Sequence, residues 1–161
     1  MTNNGSAPAV APPLHFLHWG QIVVDAGGAR LATIVGSCVA VCLWDARRRA
    51  GGMNHYLLPD APRLRSRVEK PWSYGELALP QLLEQLSALG ASPPSLTAKV
   101  FGGAAITSTD DRSGPGARNA ALARAWLGEC GIEIAAEDLG GRRGRKVVFD
   151  TASGEVTVRL L

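Results

Sequence analysis

GSCVAVCLWD, residues 36–45, sets two cysteines four positions apart in a run of small and β-branched residues. Val39 and Val41 are stiff at χ1 and Gly36-Ser37 precede them, so VAVCLWD, 39–45, reads as a strand rather than a helix. At about 3.3 Å per residue, Cys38 and Cys42 then share a face but stand roughly 13 Å apart. That excludes a disulfide between them, which needs Cα atoms within about 7 Å. It also disfavours a metal shared by Cys38, Cys42 and a histidine, because thiolate ligands lie about 2.3 Å from the ion. The two thiols need separate explanations. Cys42, inside the apolar run, reads as a buried, inert cysteine. Cys38 stands where a loop becomes a strand, so N–H groups near Gly36 and Ser37 are free to face a substrate oxygen; its bland reading is packing.

Further strands are expected at 21–25, 30–35, 51–58, 97–102, 132–138, 146–150 and 155–160, separated by Gly, Pro and Asp, with TASG, 151–154, turning the last two into a hairpin. Two segments carry the helical period. In 73–90, Leu79, Leu82, Leu83 and Leu86 recur at i, i+3, i+4 and i+7, and Gly90 stands at the C-terminal cap. Pro80 is awkward inside that helix and would suit its first turn. In 117–131, Leu122, Trp126 and Cys130 form a stripe read as core, ending at a glycine. Strands outnumber helices without regular alternation. The expected fold class is α+β: a single domain of packed mixed or antiparallel β-sheets with helices on the outside. The polar, basic segment 60–72 is the longest loop, a place where function or mobility is expected.

A chain of 161 residues, 46% hydrophobic, has material for one sizeable core and not for two full domains. Residues 1–13, rich in Ala, Pro, Asn and Ser, are expected to be a disordered tail, with the fold occupying 14–161. No run reaches the roughly 18 apolar residues of a membrane span, and no secretory signal opens the chain, which gives an expectation of a cytoplasmic protein without membrane insertion. Three cysteines, an odd number, argue against a disulfide framework and leave room for a reactive thiol. The net charge of +3 is carried by arginine clusters at 47–49, at Arg63, Arg65 and Arg67, and at 142–146; these read as solvated faces. Neither aromatic interleaving nor a reading motif points to nucleic acid.

A thiol nucleophile needs a base, and the chain has three histidines. His15 and His18 lie near the tail. His55, in GGMNHYLLP, follows the Cys-bearing strand after a short connection, so the two strands are plausible neighbours, although their register is not written in the sequence. The residue that would orient the imidazole stays open at this point. Thr33 and Ser37 are candidates, Asn54 is too close to aim the ring, and Asp45, Asp138 and Asp150 stand at strand ends where capping explains them.

LATIVGSCVAVCLWD, GGMNHYLLP, AKVFGGA, GARN and AEDLGGRRGRKVVFDTASGEV, in this order and spacing, resemble the CheD family of chemoreceptor glutamine deamidases. The resemblance runs from about residue 14 to the C-terminus. It implies an amidohydrolase that converts glutamines of methyl-accepting chemotaxis receptors to glutamates with release of ammonia, and that also hydrolyses receptor methyl esters. It implies a catalytic triad of Cys38, His55 and Thr33, an oxyanion site around Gly36 and Ser37, no metal or cofactor, and a fold similar to cytotoxic necrotising factor deamidases. It implies receptor helices as partners and CheC-type phosphatases as regulators, although Ile106-Thr107 replaces the Met-Phe that members often carry after GGA. The other class of reading is a non-catalytic adaptor for chemotaxis proteins, which would need neither Cys38 nor His55.

Overall fold

The computed structural model describes residues 10–107 and 112–161. The Cys-bearing segment is a strand over Val39–Asp45, and it is central: it pairs antiparallel on one side with Ala50–Asn54 and on the other with Leu96–Gly102. In chain order the strands are β1 (Leu14–Phe16), β2 (Ile22–Asp25), β3 (Arg30–Val35), β4 (Val39–Asp45), β5 (Ala50–Asn54), β6 (Leu96–Gly102), β7 (Glu133–Leu139), β8 (Arg145–Asp150) and β9 (Val156–Leu160); the helices are α1 (Gly75–Ala88) and α2 (Pro115–Cys130). They form a five-stranded sheet, β2-β5-β4-β6-β7, and a four-stranded sheet, β1-β3-β8-β9. Both sheets are mixed, with parallel pairs at β6-β7 and β1-β3. The single domain is thus α+β.

Three layers result. Val39, Val41 and Leu43 of β4 pack with Leu79, Leu82, Leu86 and Leu127 of the helices. The alternate residues Ala40 and Cys42 face the other way, against Leu31, Val147 and Phe149 of the four-stranded sheet. Burial on both faces is why this strand reads as a continuous apolar run instead of an alternating one. The two glycines of β5 let it fit between the layers. A Cβ on Gly51 would stand 2.7 Å from Phe149 Cζ, and one on Gly52 would stand 2.5 Å from Val24 Cγ1 and 2.9 Å from Leu82 Cδ1. Gly52→Ala should therefore cost about 1–3 kcal/mol through overpacking, measured as a fall in the denaturant midpoint at unchanged m-value.

Several expectations change. His55 to Leu58 lie past the end of β5 and are held by isolated bridges, not by a continuous ladder. Pro80 is inside α1 and not in its first turn: the helix starts at Gly75 because its first N–H groups find the carbonyls of Leu58 and Pro59, at 2.8 and 3.0 Å. The glycine caps are as expected, Gly90 and Gly131 both having left-handed φ. The buried stripe of α2 is Gly116, Asn119, Ala120, Ala123 and Leu127, whereas Leu122, Trp126 and Cys130 flank it, half-buried. β1 was not foreseen; it is three exposed residues paired to β3. Most of the tail expected at 1–13 lies outside the described residues, and Val10 to Pro13 are exposed. Among the described residues no helix is long and apolar enough to cross a membrane.

Candidate active site

Cys38 closes the short turn between β3 and β4, and the structure shows why that turn keeps its shape. Each of its carbonyls is taken: Gly36 O accepts from Ala104 N at 2.9 Å, Ser37 O from Asn119 Nδ2 at 3.0 Å, and Cys38 O from Gly103 N at 2.9 Å. Gly102 has φ 113°, and a Cβ there would collide with Cys38 O, so only glycine lets β6 pass this close. Among the described residues nothing accepts from the N–H groups of Gly36 or Ser37. Arg145, assigned from sequence to a solvated cluster, is instead buried, its guanidinium donating to Gly102 O and Gly140 O and pairing with Asp138. It braces the glycine turns behind the cysteine.

The register between the two strands puts Cys38 and His55 together. Val39 and Tyr56 exchange backbone hydrogen bonds of 3.2 and 3.0 Å, continuing the β4-β5 register in which Cys42 faces Met53. His55 thus lies opposite Ala40, and Cys38, two residues earlier on the same face, is its diagonal neighbour, with Cα atoms roughly 7–8 Å apart. The His55 backbone is fixed as well, since its carbonyl accepts from Gly20 N at 2.7 Å and its N–H donates to Gln21 O at 3.3 Å.

The third residue comes from the other sheet. Thr33 is fully buried in β3, and its Oγ1 lies 2.7 Å from His55 Nδ1 and 2.7 Å from Leu17 O. A carbonyl can only accept, so the one hydroxyl proton is donated to Leu17 O. Oγ1 must then accept from Nδ1–H. This assigns the imidazole tautomer and leaves the lone pair on Nε2, which is buried and has no partner among the described residues. Leu17 was not singled out in the sequence, nor was Asn119.

Burial favours the neutral form of both Cys38 and His55. Burial pushes the Cys38 thiol up, partly offset by its own backbone N–H. Burial and the nearby His18 bring His55 down to about 4, against the Leu17 carbonyl, which favours the protonated ring. Cys42 is buried in the inter-sheet core and burial pushes its thiol far up, out of reach of neutral pH. The other candidates are structural: Asn54 bonds Val41 N and Ala78 O, Asp45 caps Arg48 and Ser95, and Asp150 closes the β8-β9 turn. Beside the site a groove of about 370 Å³ is lined by Trp19, Leu57, Arg67, Lys70 and Tyr74 among others, with Lys70 Nζ 4.3 Å above the Trp19 ring. Among the described residues no three His, Cys, Asp or Glu side chains gather to hold a metal.

Comparison with known proteins assigns the family. The family model described as CheD chemotactic sensory transduction matches residues 57–160. A probable chemoreceptor glutamine deamidase CheD from Trichlorobacter lovleyi is 47% identical over 143 residues, covering 88% of this chain and 87% of that protein. A probable chemoreceptor glutamine deamidase CheD 1 from Anaeromyxobacter dehalogenans is 44% identical over 147 residues, 91% of this chain and 84% of that one. A third, from Rhodospirillum rubrum, is 41% identical over 152 residues, 92% and 83%. With the family model matching more than half of the chain and relatives aligned over most of it, this chain belongs to the CheD family.

Proposed function

We infer that the chain is a chemoreceptor glutamine deamidase working through Cys38. The observation that carries the chemistry is the hydrogen-bonded run from Leu17 O through Thr33 to His55 Nδ1, which leaves Nε2 unprotonated on the residue that is the diagonal neighbour of Cys38. The substrate class rests on family membership. Cys38 Sγ attacks the carboxamide carbon of a receptor glutamine as His55 Nε2 takes the thiol proton. The Gly36 and Ser37 N–H groups stabilise the oxyanion. The C–N bond breaks as the imidazolium returns its proton to the departing ammonia, leaving a thioester. Water, deprotonated by Nε2, hydrolyses it to glutamate and restores the thiol. The same steps with methanol as leaving group hydrolyse a receptor methyl ester, and none of them requires a metal or cofactor.

Residues 14–161 form the deamidase domain in this reading, with 1–13 outside it, and the fold is of the cytotoxic necrotising factor type. The protein acts in the cytoplasm, on the helices of methyl-accepting receptors. A CheC-type phosphatase is the regulator that the family implies, but Ile106, half-exposed and reaching the position a Gly36 Cβ would take, departs from the family's residues in that region and weighs against it.

Mass spectrometry of a receptor cytoplasmic fragment incubated with the purified chain tests this. Glutamine-to-glutamate conversion is expected. A folded protein that binds the fragment without converting it would be an adaptor and would overturn the reading. The neutral resting pair sets the acid limb: only unprotonated His55 serves as base, so kcat/KM should hold as pH falls through 6.5 and drop through about 4. A loss centred near 6.5 would contradict the burial of His55.

A further inference from the structure

We propose that Asn119 is a positioning residue of the reaction, its carboxamide tying the turn that carries Cys38 to the segment that carries His55. The inference rests on the reading of the chain as a cysteine hydrolase. Asn119 is fully buried on the inner stripe of α2, among Gly116, Ala120, Ala123 and Leu127. A polar side chain there forfeits hydration that alanine would never lose, so its presence must be explained by what it bonds. Nδ2 donates to Ser37 O and to Leu57 O, both at 3.0 Å. Both acceptors are carbonyls, which fixes the orientation of the amide. Oδ1 is buried without a partner among the described residues.

The two carbonyls belong to the two sides of the site: Ser37 precedes the nucleophile and Leu57 lies two residues past the base. Beyond the Val39 and Tyr56 pair the strands share no backbone hydrogen bond among the described residues, and Leu57 N turns away to Ser73 O at 2.7 Å. Asn119 is what spans the gap at the cysteine end. Its helix is itself set against both sides. Tyr56 Oη donates to Asn119 O at 2.6 Å, and a Cβ on Gly116 would stand 2.5 Å from Ala104 O and 2.6 Å from Gly103 O, in the segment that holds the Gly36 and Cys38 carbonyls. One amide thus ties the turn before Cys38 to the segment that follows His55.

Two variants of the full chain, Asn119→Ala and Asn119→Asp, test this with two independent readouts: receptor-glutamine conversion, and alkylation of Cys38 by iodoacetamide as a function of pH. In Asn119→Ala, conversion should fall about a hundredfold in kcat with KM nearly unchanged, the loss typical of misplacement by about an ångström. The freed turn should expose Sγ, so alkylation at pH 8 should rise by about threefold while conversion falls. Asn119→Asp keeps the shape but cannot donate when ionised; buried against two carbonyls, its acid is raised, so its kcat relative to wild type should climb as pH falls from 8 toward 5. That variant is also folded most securely at the acid end, where it mimics asparagine, and supplies the answer if Asn119→Ala does not melt cooperatively. Conversion within threefold of wild type, or reduced conversion with an unmoved alkylation profile and no pH-dependent recovery, overturns the proposal. Because alkylation needs no receptor, it reads the positioning role even if the wild-type chain converts no glutamine.

Discussion

Cys38→Ala is expected to abolish glutamine conversion, by at least about four orders of magnitude, because without Sγ no thioester forms and the remaining groups can only polarise the amide. Its thermal midpoint should stay close to wild type: Cys38 is half-buried at the end of the inter-sheet core, and its turn is held by backbone carbonyls that the substitution leaves in place. Cys42→Ala should behave in the opposite way. That thiol is 2% exposed among Ala40, Met53 and Phe101, so its removal leaves a small cavity costing about 1–2 kcal/mol, several degrees of Tm, with kcat unchanged. Paired mass spectrometry and thermal melts on the two variants separate the roles. Activity in Cys38→Ala, or its loss in a folded Cys42→Ala, would reverse the assignment of the thiols.

The spacing of the two cysteines was legible in the sequence because it depends on local geometry. Val39 and Val41 make β4 a strand, the strand keeps the cysteines apart, and the Gly36-Ser37 turn marks one of them. The β3 and β4 boundaries, and the leucine stripe and glycine cap of α1, were readable for the same reason: the period and the punctuation are local. What the sequence does not carry is register. Nothing near His55 says that Val39 will face Tyr56, and on that pairing the juxtaposition of His55 and Cys38 depends. The Thr33 contact crosses between sheets, and the Leu17 carbonyl that fixes the role of Thr33 is a backbone atom, without any side-chain signature. Asn119 left a faint trace, one polar residue on an otherwise small, apolar stripe, but the stripe was read one face away, through Leu122 and Trp126, because large residues dominate a periodicity count while α2 packs closely through Gly116 and Ala120. Arg145 was hidden in a run of arginines whose other members are exposed.

In the proposed mechanism, His55 as base and Thr33 as its orienting hydroxyl carry the second large effect. His55→Ala removes proton transfer in both halves of the reaction and should lower kcat by about 10²–10⁴-fold. Thr33→Val should cost nearly as much without touching any reacting atom. Valine matches the shape of threonine but leaves Nδ1–H and Leu17 O facing each other's lost partner, so the tautomer with Nε2 free is no longer enforced. The pH dependence of stability tells these apart from simple unfolding. His55 has a folded-state pKa of about 4 against an ordinary 6.5, so between those values the unfolded chain binds a proton that the native one does not. Stability should therefore climb as pH rises from 4 to 6.5, by up to about 3 kcal/mol, and be level in this group above 6.5. Replacing the imidazole with an uncharged side chain, in His55→Gln, should flatten that part of the curve while abolishing conversion. A variant that loses activity yet keeps the full acid slope would mean that another group, and not His55, is the buried titrating base, and the catalytic role built on the Thr33 contact would fall with it.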